Sequence, residues 1–84
     1  MPRRSESDII VAILLKATNE STRTKILHRT NLNQKTFSRY FNKLLVKKFI
    51  EPIDSEGGFK HYRITSEGKG LLKKMRETTK MMKD

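Results

Sequence analysis

Lys35, Thr36, Arg39, Asn42 and Lys43 carry the chemistry that this chain most clearly offers. Counted at about 100° per residue from Gln34, they fall on one side of a helix, while Phe37, Phe41 and Leu44, with Tyr40 and Leu45 at the edge, fall on the other. The polar side holds an amide, a hydroxyl and cations but no carboxylate. Such a face suits a polyanion that also presents hydrogen-bonding edges, and duplex DNA has both. Arg39 can form two parallel bonds to guanine O6 and N7. Lys35, Lys43 and Lys60 fit phosphates, where a mobile point charge suffices. Tyr40 reads as core rather than as a base-stacking platform.

The residues needed for catalysis are not arranged for it. No Gly-rich loop stands between a strand and a helix, no serine sits in a nucleophile elbow, and no HExxH is present. Asp54 and Glu56 flank a turn, where solubility accounts for them. His28 and His61 lie on different elements and do not form a metal site. The expectation is a non-enzyme with no metal or cofactor. The sequence offers no readable small-molecule pocket, so an effector stays open.

Eighty-four residues suggest a single domain spanning 1–84, of modest stability or stability shared with a partner. The absence of cysteine removes a disulfide framework and fits a reducing cytoplasm. A net charge of +10 points to nucleic acid or anionic membrane. Its distribution favours the first: no acidic residue lies between Glu20 and Glu51, where Arg23, Lys25, Arg29, Lys35, Arg39, Lys43, Lys47 and Lys48 are found. The apolar run Ile9 to Leu15 is far shorter than the roughly 20 residues that span a bilayer. Asp8 and Lys16 bound it and no small-residue cleavage site follows, so neither a span nor a signal peptide is expected.

Four helices and a hairpin would position these groups. Residues 1–5 read as a basic arm. Ser5 and Asp8 resemble a capping box before a helix from Glu6 to about Thr18, with Ile10, Ile13, Leu14 and Ala17 inward. Ser21 or Thr22 caps a second helix to about Thr30, with Ile26 and Leu27 inward and Arg23, Lys25 and Arg29 available to solvent or phosphate. The short link Asn31-Leu32-Asn33 then gives way to the central helix, capped by Asn33.

Beyond that helix the period changes to alternation. Phe49–Asp54 and Phe59–Thr65 read as two strands about Ser55-Glu56-Gly57-Gly58, with Pro52 on an edge, Tyr62 and Ile64 inward, and His61 and Arg63 outward. Thr65 or Ser66 caps the last helix, 66–84. Its stripe of Leu71, Leu72, Met75 and Met82 continues beyond what so small a core covers. Gly68 and Gly70 weaken its first turn unless close packing uses them.

The order helix, helix, turn, helix, hairpin, helix is that of a winged helix-turn-helix, an α+β and mainly helical fold. Leu32 to Phe41, Leu44 and Phe49-Ile50-Glu51 resemble the recognition-helix signature of winged-helix transcription regulators. Gly57-Gly58 and Tyr62-Arg63-Ile64-Thr65-Ser66-Glu67-Gly68, followed by Leu71-Leu72, resemble their wing and closing helix. The pattern is most similar to the small basic archaeal members, which include chromatin-associated DNA binders that dimerise through a C-terminal antiparallel coiled coil.

The resemblance implies that Gln34, Lys35, Thr36, Ser38, Arg39 and Lys43 lie in or beside the major groove. Lys60, His61 and Arg63, on a wing of about 50–65, would serve the minor groove or the phosphates. Leu72, Met75 and Met82 would form a homodimer surface. Where the family often has glycine as a left-handed helix stop, this chain has Lys48, so the recognition helix is expected over about 33–48.

The expected function is double-stranded DNA binding as a cytoplasmic, nucleoid-associated transcription regulator. The alternatives are a sequence-indifferent chromatin protein and a winged-helix module that binds other proteins through its terminal stripe. RNA ranks below these, because the exposed aromatics that stack single strands are lacking.

Overall fold

The computed structural model describes residues 5–54, 57–58 and 60–83. Helix α1 spans Glu6–Ala17, and its start is fixed by the expected capping box: Asp8 N donates to Ser5 Oγ at 3.1 Å, and Ser5 N donates to Asp8 Oδ2 at 3.2 Å. Strand β1 is Ser21–Thr22. Helix α2 follows at Arg23–Thr30, capped by Thr22, and ends on Asn31 in the left-handed region at φ 57°. That reversal leads through Leu32 to α3, Gln34–Val46, whose cap Asn33 accepts from Thr36 N at 2.8 Å.

Strand β2, Ile50–Ile53, and β3, His61–Ile64, form the hairpin, with Gly57 and Gly58 at φ 91° and 81° in its turn. Only glycine takes such angles without strain. The expected strand ends Phe49, Asp54, Lys60 and Thr65 lie outside the ladder. Ser55, Glu56, Phe59 and the basic arm Met1–Arg4 lie outside the described residues. Helix α4 is Ser66–Lys83.

The sheet has three strands, not the expected two. Its order is β1-β3-β2, with Ser21 opposite Tyr62 and Thr22 opposite His61. A two-residue strand is too short to show alternation in sequence. Pro52 does sit on an edge strand, as expected. The core gathers Ile13, Leu14, Ala17, Ile26, Phe37, Phe41, Ile50 and Ile64. Phe37 and Phe41 stack at 5.0 Å between centroids, and Phe41 meets Tyr62 edge to face at 4.9 Å. Helix α1 packs against α2, α3 and α4.

The central helix stops two residues short of its expected end. Lys48 adopts φ 64°, the left-handed stop that glycine takes most readily. The neighbouring bonds hold it there: Phe49 N donates to Leu44 O at 2.9 Å, Thr65 Oγ1 donates to Lys48 O at 2.7 Å, and Thr65 N donates to Phe49 O at 3.0 Å. Together they outweigh a strain of about 1–2 kcal/mol for a side chain in that region. Thr65 also accepts from Gly68 N at 3.0 Å, which makes it the cap of α4. Gly68 is where close packing uses a glycine: a Cβ there would lie 2.0 Å from Phe49 O.

Candidate nucleic-acid interface

The asymmetry of α3 decides which of its residues can meet a ligand. Phe37, Phe41 and Leu44 are buried, while Gln34, Lys35, Arg39, Asn42 and Lys43 are exposed and Thr36 is half-buried. Lys35, Thr36, Arg39, Asn42 and Lys43 lie along one surface of the helix, as the sequence spacing implied, while Gln34 is exposed in the first turn, off that surface. Val46, 80% exposed, shares that surface at its far end, so the face is not wholly polar. Among the described residues Lys35 and Arg39 meet no carboxylate.

Tyr40 belongs to the core rim, as expected, and also acts on its neighbours. The Arg39 guanidinium carbon lies 5.8 Å, and Lys43 Nζ 6.0 Å, from the Tyr40 ring centroid. At these distances the ring's negative face attracts both cations weakly and biases where they rest. Lys43 has a second attraction, Glu6 Oε1 at 3.7 Å. The pair is well exposed on both sides and is therefore easily exchanged for another anion.

Ser38 is half-buried on the flank facing α2, where its hydroxyl accepts from Arg23 Nη2. Arg23 is not available to solvent or phosphate in the way the sequence suggested. Its guanidinium carbon sits 5.2 Å from the Phe37 ring and 5.6 Å from that of Phe41, pinning the first turn of α2 to α3. The signal was present, since Arg23 precedes Ile26 and Leu27 by three and four residues and so shares their inward face. Arg29 likewise turns to the fold, donating to Ser21 Oγ at 3.0 Å and so tying α2 to β1.

The wing residues have different surroundings. Lys60 is exposed and His61 half-buried. Arg63 stands opposite Glu51 across the ladder and donates from Nε to Glu51 Oε2 at 2.8 Å. That hydrogen bond, and then the Glu51 charge, hold the guanidinium above its ordinary range, with a further push from Glu20. Arg63 is thus paired to a carboxylate of its own sheet, although its side chain stays half exposed.

On α4, Leu72 and Met75 are half-buried, Leu72 against the protein's own core, while the Met82 side chain lies outside the described residues. Among the described residues no group of three or more His, Asp or Glu is placed to hold a metal, and no helix is long and apolar enough to cross a membrane.

Residues 3–83 match the winged helix-turn-helix family along nearly their whole length. The chain belongs to that family. An uncharacterized protein of Methanocaldococcus jannaschii is 35% identical over 81 residues, covering 95% of this chain and 36% of the relative, so the chain spans about a third of that protein's length. Among solved structures, Sso10a-2, a DNA-binding protein from Sulfolobus solfataricus, superposes with a TM-score of 0.82 at 22% identity, over 95% of this chain and 83% of that one. A MepR variant of S. aureus, bound to an oligodeoxyribonucleotide, gives 0.72 at 16% identity over 92% and 57%. At such identities the likeness is one of fold. By these matches α3 is the second helix of the helix-turn-helix and β2–β3 is the wing.

Proposed function

We propose that this winged helix binds duplex DNA through the outer face of α3 and regulates transcription as a homodimer. The observation that carries the reading is an exposed, carboxylate-free face on a helix whose opposite face is immobilised by Arg23, Phe37 and Phe41. A helix so anchored presents its polar groups at fixed spacing, as base reading requires. Two neighbours with this fold are a DNA-binding protein and a protein solved on DNA, which supports the same use here.

In this reading Arg39 meets a guanine edge or an adjacent phosphate, and Asn42 meets base edges. Gln34, Thr36, Lys35 and Lys43 position the helix on the backbone. Lys43 exchanges Glu6 for a phosphate. Ser38 acts indirectly, as the hydroxyl that receives Arg23. Lys60 and His61 extend the contact from the wing, while Arg63 contributes mainly to the wing's own order. Leu72, Met75 and Met82 provide the dimer stripe along α4. The protein performs no catalysis and works in the cytoplasm on the nucleoid.

Fluorescence anisotropy with a random duplex, a single strand and the protein's own promoter tests this. Tighter binding to the duplex than to the strand, with a further gain on the promoter, is the expected result. Equal binding to both duplexes would replace the regulator by a sequence-indifferent chromatin protein. Weak binding to all three would contradict DNA binding altogether.

A further inference from the structure

The cations of α4 form a second ordered array, separate from α3. Lys69, Lys73 and Arg76 are exposed, and the sequence continues the spacing with Lys80 and Lys83. Their intervals of four, three, four and three residues keep them within an arc of about 80° on a helix. Between residues 66 and 83 no acidic residue falls within that arc: Glu67 lies on the far side of the helix, and Glu77 borders the arc one turn beyond Lys73. Among the described residues Lys69, Lys73 and Arg76 make no ion pair. At about 1.5 Å per residue the array is roughly 21 Å long. A duplex presents one charge per about 1.7 Å of its axis, so a stretch of that length offers on the order of twelve phosphates to five cations.

We infer that this α4 stripe is a second phosphate-binding surface, which lets the protein hold a duplex segment other than the one on α3. The inference rests on the DNA-binding reading of α3 given above. Placement supports two segments. Helices α3 and α4 both pack on α1 and make little contact with each other, so their cations belong to two separate elements. The stripe contains only cations. It therefore suits charge without sequence, as expected of a contact to backbone alone.

A duplex fits better than an anionic membrane. A helix that lies in a lipid interface needs a free apolar face beside its cations. Here Leu71 and Leu72 are half-buried against the core, and what Leu72 and Met75 leave exposed is taken by the dimer stripe proposed above, so no apolar side of the described part of α4 is left for lipid.

The test is a two-duplex capture. Protein is bound to an immobilised duplex, washed, and offered a fluorescent second duplex, with the oligomeric state of each variant measured alongside. Wild type is expected to retain the second duplex. The variant Lys69→Gln/Lys73→Gln/Arg76→Gln is expected to keep its oligomeric state and the first duplex while losing at least tenfold in second-duplex capture. Undiminished capture by this variant would assign the second duplex to another α3 face in an oligomer and overturn the inference. So would absence of second-duplex capture by wild type, or capture of phosphatidylserine vesicles in its place. Failure of wild type to bind even the first duplex would instead overturn the reading of α3.

Discussion

The outer face of α3 and the wing both carry cations, yet Lys35 and Arg39 on the first and Arg63 on the second are left in opposite conditions. On α3 no carboxylate occurs within the helix, and Lys35 and Arg39 face solvent with only an aromatic ring beside Arg39. On the wing, the ladder sets Glu51 directly opposite Arg63, and the pair closes at 2.8 Å. A cation already bonded to its own chain's carboxylate must give up that bond before it can serve a phosphate. On the proposed reading the same residue type is therefore a contact in one region and a brace in the other. The neighbour across the element decides which.

Both regions hang from one junction, so the largest effect is expected there. Gly68→Ala sets a Cβ 2.0 Å from the backbone oxygen of Phe49 and 2.7 Å from the Ile64 side chain at Cγ1, so one of them must shift. It should cost on the order of 3 kcal/mol or more, read as a lowered denaturation midpoint, and should weaken α3 and the wing together. A normal midpoint would mean that the two regions do not share this support.

Arg39→Ala separates the regions at a smaller scale. Loss of a two-pronged base or phosphate contact should lower duplex affinity by about 1–3 kcal/mol, roughly five- to 150-fold, with the midpoint unchanged. Unaltered affinity would move the contact surface off the centre of α3.

The smallest effect is a contrast with Gly68. Gly70 has nothing within 4 Å of a would-be Cβ, so Gly70→Ala should stabilise by up to about 1 kcal/mol through helix propensity, without altering DNA affinity. A loss of stability would show that α4 needs its second glycine too.

Elements with sustained periodicity were legible from sequence. The α3 stripe, the Ser5 and Asn33 caps, the paired glycines of the turn and the edge position of Pro52 follow from local rules and recur in the fold. What stayed hidden depends on register and on tertiary partners. A turn centred between Gly57 and Gly58 would set Pro52 opposite Arg63, whereas the observed register sets Glu51 there. One residue of slip exchanges the faces, and loop composition alone does not exclude it. The β1 strand exists only because β3 pairs with it. Lys48 keeps a left-handed stop because Thr65, seventeen residues on, holds its carbonyl. Arg23 was visible in the pattern, but a cation in a first turn reads as surface until the aromatic rings that receive it are known.

The salt dependence of duplex affinity, compared among wild type, Lys35→Ala and Arg63→Ala, tests the contrast between the two regions most directly. Each phosphate contact contributes about −0.9 to the slope of log affinity against log salt. Wild type should be steep, Lys35→Ala shallower by about 0.9, and Arg63→Ala indistinguishable from wild type. A shallower slope for Arg63→Ala with no change for Lys35→Ala would reverse the assignment of contact and brace. A wild-type slope near zero would remove the phosphate mechanism itself.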